Sequence, residues 1–549
     1  MVIYNKSLVD VPDDDGVHIK VAGAKNEKYV YKHVKYYRNS EGKPRNQSKS
    51  IGKFDESTGK MYPNSNYFSL YKIEPEYPEV KVWDYGYSYL VLKACQDMGL
   101  LGCLENAFGA KAMDIIVIAA YIIREGSALD GIDDWQERNY FPGFKSLLTS
   151  QATSKIFSML TDEQRNTFFS NWVKTARNSG TVCYDVTSIS SYAQHMPSVE
   201  HGYNRDGEKL AQFNLGLFCD ENTKVPLYYN RYSGSLTDKV NLSYVLENAK
   251  AVGIDSVKML LDGSFWDEKC FEALNKLCSA FTVGMSANLN TSKDILENHA
   301  KSVAHYANRL SIPHTFCIAV DTTIWGIAGK ALLYFDEMSH AQLCEELVSL
   351  INRLSAELSK LKRYPSKKLN RYDSYFNITK REGGFDFTVD TEKVDRLMKR
   401  KGMFLIFTTD MDATAEDILF HYRAKDVVEK MFDQIKCEME GNRVRTHNEK
   451  TTDGKVFVVF IACVIRSYIL QKLSQHLKDN STSLKKVFSQ LSNITIISAQ
   501  NGLRFTNALT KKHKLILKPF NAQVAILTSV PSSEKAKWIC EDFCHKTRN

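Results

Sequence analysis

Long apolar runs are missing from this 549-residue chain. The longest, Ile115–Ile123 and Val456–Ile465, fall well short of the roughly 20 residues that span a bilayer, so no membrane segment is expected. Met1 to Val11 carries polar and acidic residues where a secretory apolar stretch would stand, which excludes an export signal of that type. Internal repeats and low-complexity segments are also lacking. The 12 cysteines are scattered, several within apolar runs (Cys183, Cys317, Cys463), as buried thiols in a reducing compartment would be. Their one tight grouping, Cys540, Cys544 and His545, offers three zinc ligands without a clear fourth. A soluble, cytoplasmic protein is expected.

What is present is ordinary globular material, 43% hydrophobic and 25% charged, which excludes a disordered or collagen-like chain. At roughly 100–200 residues per domain the length implies about three or four units. The net charge of +8, from 72 basic and 64 acidic residues, is modest, but it is unevenly placed. His18–Lys60 alone holds 11 Lys/Arg against 4 Asp/Glu. A further basic stretch runs over Lys360–Arg381.

Residues 18–60 combine β-propensity with a Gly/Pro turn at Asn39–Pro44 and predict a basic, tyrosine-rich hairpin carrying Lys43 and Arg45 at its tip. Residues 85–178 switch to helical spacing. From Thr181 the pattern becomes α/β: a strand at Thr181–Ser188, a hairpin from Gln212–Phe218 and Val225–Tyr229, a helix at Asp238–Val252 and a strand at Ser256–Leu261. The helix Asp267–Cys278 and the strand Phe281–Met285 follow. Residues 290–400 interrupt with mixed material, including a helix at 341–363. The strand Met403–Thr408 and the helix Ala415–Cys437 resume the pattern, and an apolar helix at about Val456–Leu473 closes it.

Three acids stand where metal chemistry would want them. Asp185 lies in the first strand, within Tyr184-Asp185-Val186-Thr187-Ser188. Asp262 is the first polar residue after the buried strand Met259-Leu260-Leu261. Taken alone, either is also the pattern of a helix cap or loop carboxylate. On the last α/β helix, Tyr422, Lys425, Glu429 and Lys436 fall within an arc of roughly 60° at 3.6 residues per turn. Val428, Phe432, Ile435 and Met439 form a separate, buried face. The polar stripe reads either as a phosphate-gripping surface around one carboxylate or as a solvated face with an i,i+4 ion pair.

Tyr422-x2-Lys425-x3-Glu429-x6-Lys436 resembles the Tyr-x2-Arg-x3-Glu-x6-Lys signature of DDE transposases from bacterial insertion sequences, the hairpin-forming cut-and-paste group. The Asp185 strand is similar to that family's first-acid strand, and Leu261-Asp262-Gly263-Ser264-Phe265 to its second. Gly202-Tyr203-Asn204-Arg205-Asp206-Gly207 is similar to the loop between them. Gly234-Ser235-Leu236-Thr237-Asp238 resembles its Gly-Asn-x-x-Asp element, and Ile51-Gly52-Lys53 its amino-terminal region. Lys425 replaces an Arg and Ser235 an Asn; Lys keeps the charge but not the bidentate geometry. Arg423 is a second source of a guanidinium, about 100° round the helix from Tyr422.

The resemblance, over roughly residues 18–475, implies an α/β fold. Its core would be a ribonuclease H-like mixed sheet with helices, interrupted by a large insertion domain. It divides the chain into a basic β-rich DNA-binding domain (1–80), a helical region (81–178), two core halves (179–289 and 401–475), the insertion (290–400) and a C-terminal region for dimerisation or DNA contact (476–549). It implies that Asp185, Asp262 and Glu429 bind two Mg²⁺ or Mn²⁺ ions, and that Tyr422, Lys425 and Lys436 grip phosphates. Trp325 would stack on an extruded base; a buried core tryptophan is the competing reading. The implied partner is double-stranded DNA, both terminal inverted repeats and target, bound by a homodimer in a bacterial cytoplasm. Two other readings stay open on sequence: a catalytically silent, domesticated DNA-binding descendant, and a standalone ribonuclease H-like nuclease.

Overall fold

Alternating aromatic, β-branched and basic residues make the amino-terminal strands, and the computed structural model pairs them in simple order. It describes residues 8–22, 27–73, 81–193, 195–362, 364, 371–382, 384–498 and 504–522. Strands β1 (Val17–Ala22), β2 (Glu27–Arg38), β3 (Pro44–Asp55) and β4 (Lys60–Pro63) form an antiparallel sheet in the order β1-β2-β3-β4. In the β2–β3 turn the Asn39 Oδ1 accepts from the amides of Glu41 (3.2 Å) and Lys43 (2.9 Å), and Gly42 takes a positive φ of 77°. Val30, Ile51 and Met61 are fully buried at its small core. This unit, up to Lys81, is one of two compact bodies in the chain.

The second body begins with helices, among them α1 (Ala112–Glu125) and α2 (Asp162–Ala176). Thr161 caps α2 in a capping box with Gln164, so two orphan amide groups are satisfied at once. Then come β5 (Thr181–Ser191), β6 (Gln212–Asp220), β7 (Pro226–Ser233), α3 (Asp238–Ala251), β8 (Lys258–Leu261), α4 (Glu268–Leu277) and β9 (Ala280–Met285). These elements match the expected strand, hairpin, helix, strand, helix, strand order, with ends unshifted or shifted by up to four residues.

The stretch 290–400 holds more strand than its sequence pattern showed. β10 (Thr315–Ile324) and β11 (Ile327–Asp336) form a hairpin that joins the central sheet. The apolar run Asp321–Leu333 is broken by a turn at Trp325 and Gly326, both with positive φ (45° and 78°). Helix α5 (Glu337–Leu358), the hairpin β12 (Phe376–Arg381)–β13 (Gly384–Val389) and α6 (Thr391–Arg400) gather round a separate cluster of Leu347, Ile351, Leu354, Leu358, Tyr372, Phe376 and Val394. Strand β14 (Met403–Thr408) returns the chain to the sheet.

The expected helix over 415–437 is divided in three. α7 (Ala415–Ala424) ends at Lys425, α8 (Asp426–Asp433) follows, and a π-turn covers Gln434–Glu438. Val428, Phe432, Ile435 and Met439 are buried, as the spacing requires. A two-residue strand β15 (Arg443–Val444) precedes α9 (Glu449–Asp479), which is 31 residues long because Asn448 caps it well upstream of its apolar run. Among the described residues the central sheet has nine strands, ordered β10-β11-β14-β9-β8-β5-β6-β7, with β15 beside β5. β5, β8, β9 and β15 run parallel, and the rest antiparallel.

Two helical stretches, Leu100–Glu125 and Glu449–Asp479, are long and apolar enough to cross a membrane by length and composition. Both are core helices, with 61% and 72% of their most apolar windows buried within the protein. The expectation from uninterrupted runs understated them, because a few polar residues punctuate each. Phe169 of α2, Tyr229 of β7 and Phe460 of α9 interlock, with ring centroids 5.3–5.4 Å apart at Phe460. Burying each such ring contributes roughly 1.5–3 kcal/mol. Seven of the ten described cysteines are buried, and all ten are free thiols. Cys540, Cys544 and His545 lie outside the described residues.

Candidate active site

Two neighbouring parallel strands bring the first two acids level. β5 and β8 pair in register, Thr181 with Lys258, Val182 with Met259 and Cys183 with Leu260. Two residues further along each strand stand Asp185 and Asp262. Backbones of paired strands lie about 4.8 Å apart, so the two carboxylates emerge beside one another. The facing edge of β5 takes up β15 only at Ser190 and Ser191, leaving Tyr184–Ile189 without a strand partner on that side.

The third acid arrives by the helix break. Lys425 sits at the α7–α8 junction with its side chain mostly buried. Its Nζ lies 2.9 Å from Asp262 Oδ1 and 3.2 Å from Glu429 Oε1. The same ammonium is 5.6 Å from the centre of the Tyr422 ring. Tyr422 reaches in because Gly284, on β9, has no side chain: a Cβ there would stand 2.3 Å from the Tyr422 hydroxyl. Tyr422, Lys425, Asp262 and Glu429 therefore form one contact group, and Asp185 joins it through the strand register.

The electrostatics separate the two aspartates. Burial pushes the Asp185 carboxyl up to about 6, against the pull of its own hydrogen bond from the Val186 amide (2.8 Å) and of Lys425. Burial acts the same way on Asp262, but the Lys425 hydrogen bond and the amides of Gly263 and Ser264 outweigh it and hold that carboxyl below its usual range. Lys425 loses ionisation to burial and regains more from Asp262, so its ammonium titrates above the usual lysine range. Burial also raises the Tyr422 phenol. Among the described residues no group of three acidic, histidine or cysteine side chains lies together as a ready metal cage. Asp262 and Glu429 are turned onto the Lys425 ammonium instead.

Loops around the group are fixed by close backbone approaches and ion pairs. A Cβ on Gly202 would run into the carbonyl oxygen of Gly234, and one on Gly234 into the carbonyl oxygens of Gln212 and Glu200, so both loops need their glycines. Arg205 pairs with Asp238, which also accepts from the Tyr232 hydroxyl at 2.5 Å. Lys436 Nζ lies 2.5 Å from Asp206 Oδ2. Local sequence gave Arg205, Asp206 and Asp238 no role; charged residues in two short glycine-bounded motifs, 202–207 and 234–238, were the available signal.

The other expected residues lie elsewhere. Arg423 pairs with Asp336 at 3.1 Å, on a strand three places from β8 and so about 14 Å across the sheet. Trp325 is not a core residue: it is 42% exposed at the β10–β11 turn, with the rings of Trp266 and Phe271 5.9 and 5.0 Å away. The registers set Ala331 level with Leu261, which leaves Trp325 six residues, on the order of 20 Å, down the sheet. Lys43 and Arg45 are exposed on the amino-terminal hairpin, Lys43 paired with Glu41 at 3.2 Å.

The chain is thus an α/β protein in which two neighbouring parallel strands bring two acids level and a helix adds a third beside a buried lysine. The family model described as a transposase DDE domain matches residues 177–465, and this chain belongs to that family. It is a DDE transposase; transposases act on DNA, and DDE members work with divalent metal ions. Among solved structures it is similar to a piggyBac transposase synaptic complex with hairpin DNA, studied by cryo-EM. The identity is 11%, covering 78% of this chain and 74% of that one, with a TM-score of 0.34. No curated protein matches.

Proposed function

We propose that the chain is the transposase of a bacterial insertion sequence, which binds terminal inverted repeats, cuts both strands through hairpin intermediates and joins the freed ends to target DNA. The observation that carries this is the convergence of Asp185, Asp262 and Glu429 on the Lys425 ammonium. Asp185, Asp262 and Glu429 would hold two Mg²⁺ or Mn²⁺ ions. The fit rests on the donors: carboxylate oxygens suit such hard cations, and the Lys425 ammonium already sets a positive charge between Asp262 and Glu429. When bound, the metal pair supplies activation of an attacking oxygen and stabilisation of a leaving one.

The chain's own residues do the positioning. Tyr422, Lys425 and Lys436 line the approach and would hold phosphates, with Lys425 exchanging its carboxylates for a phosphate oxygen. Arg423 would reach a more distant phosphate only by leaving Asp336. Lys43 and Arg45, on an exposed basic hairpin, would bind inverted-repeat DNA with strong salt dependence. Trp325 offers an exposed ring for stacking on an extruded base. The core is read as ribonuclease H-like over 179–289 and 401–475, with 290–400 inserted, 1–80 binding DNA, 81–178 a helical region and 476–549 for dimerisation or DNA contact. A homodimer would pair two ends in the bacterial cytoplasm.

The test is cleavage of a labelled element end with Mg²⁺ or Mn²⁺, using Ca²⁺ as a control, and a target plasmid present. Asp185→Asn and Glu429→Gln are expected to abolish cutting while leaving DNA binding intact. Normal cutting by either variant sinks the triad, and cutting without joined products makes the protein a nuclease.

A further inference from the structure

Beyond the acid group lies a cavity of about 180 Å³ lined by Ser127, Glu440, Asn442, Arg443, Arg445 and Lys455. Lys455, on the second turn of α9, is 7% exposed, and its ammonium has no hydrogen-bond or ion-pair partner among the described residues. A buried ammonium without a counter-ion is costly to keep in a fold. Burial pushes it down to about 8, and the nearby Arg445 guanidinium acts in the same direction. Arg445 is exposed at the mouth, also without an ion-pair partner among the described residues. Arg443 gives its Nη2 to Glu208 (2.7 Å) and its Nη1 to the Tyr192 hydroxyl (3.0 Å), but its buried Nε donates to nothing. Glu440 is the one carboxylate of the lining, exposed and not paired with Lys455, while Ser127 donates to its backbone oxygen at 2.9 Å. Two unneutralised cations and a free N–H thus face one polar cavity.

We infer that this cavity binds a phosphate group, and that in the working protein the phosphate belongs to the backbone of the bound DNA. The second half rests on the transposase reading above. Its support is position. Arg443 pairs with Ser190 on β5, five residues beyond Asp185 on the same strand. That is about 17 Å along the strand, the length a DNA strand covers in about five nucleotide steps. A duplex lying on the acid group can therefore present a backbone phosphate to the cavity without a bend, and the arrangement would fix where the DNA enters.

Two measurements on the full chain separate the site from its source. In thermal unfolding, inorganic phosphate at matched ionic strength should raise the midpoint of the wild type, and the rise should vanish in Lys455→Met and in Arg445→Gln. An equal rise in all three overturns the site; Arg445→Gln guards against misfolding, since that residue is exposed. In binding to an element end extending ten nucleotides past the cut on either side, each variant should lower the slope of log K against log salt by about 0.9, one phosphate contact. An unchanged slope alongside a lost phosphate effect means a free anion is the occupant and overturns the DNA assignment. Absence of any DNA binding by the wild type would sink the transposition reading, and the phosphate titration alone would then decide the cavity.

Discussion

Lys425 and Asp262 are joined by a 2.9 Å bond from ammonium to carboxylate, and the same nitrogen holds Glu429 at 3.2 Å. If these carboxylates hold metal as proposed, the Lys425 ammonium competes with the ion for them. Removing it with Lys425→Met should leave burial of Asp262 opposed chiefly by the Gly263 and Ser264 amides and raise that carboxyl's titration, visible by NMR. Mn²⁺ should bind the free protein more tightly by electron paramagnetic resonance, since its competitor is gone. End cleavage should nevertheless fall about 10- to 100-fold, the worth of one charge-assisted contact to a phosphate. Unchanged Mn²⁺ affinity would show that Lys425 does not compete for the site.

Gly284 and Tyr422 make a second, purely steric test. A methyl group on residue 284 would stand 2.3 Å from the Tyr422 hydroxyl oxygen but 3.3 Å from the ring carbon that bears it. Gly284→Ala should cost about 1–3 kcal/mol in denaturant unfolding, the usual range for overpacking. Tyr422→Phe alone should cost little. The double variant should recover most of the loss, because the clash is with the oxygen. Additive effects would mean that the phenol does not rest on that strand.

The strands and their order along the chain were legible because buried strands announce themselves as short β-branched runs, and Asp262 drew notice by ending one abruptly. The hairpin at Trp325 was hidden for a physical reason. Its turn residues, Trp and Gly, continue the apolar run, and only a positive φ at both makes the bend. The arc through Tyr422, Lys425, Glu429 and Lys436 assumed one ideal helix. The chain breaks at Lys425 and widens into a π-turn at 434–438, so Lys436 points to Asp206 while Lys425 turns to Asp262. Long-range partners of that kind leave no trace in local spacing.

His421, next to Tyr422, is bonded through Nδ1 to the buried carboxylate of Glu221. That bond raises the imidazole above its ordinary value, against the effect of burial. A raised value in the folded state contributes stability that is complete below the unfolded value of about 6.5 and is lost as pH rises through the folded one. His421→Gln should therefore lower the urea midpoint more at pH 5.5 than at pH 9. A penalty of equal size at both would show that the pair is not charge-assisted.

Asp185 has the same pH slope from the opposite cause, since burial disfavours its charged form. Its carboxyl is shifted from 3.8 to about 6, mainly by burial. Between those values the folded protein keeps a proton that the unfolded chain has released, so stability falls as pH rises and the full penalty is in place above pH 6. The penalty is on the order of 1–3 kcal/mol, tempered by Lys425 nearby. Asp185→Asn should therefore stabilise the metal-free protein at pH 7.5 in EDTA and leave it unchanged at pH 4. Adding Mn²⁺ should then stabilise the wild type and not the variant, because a divalent cation is the charge that the carboxylate lacks. If Asp185→Asn destabilises at both pH values, the residue is a structural hydrogen-bond acceptor, and the buried carboxylate within β5 is not held in reserve for a metal.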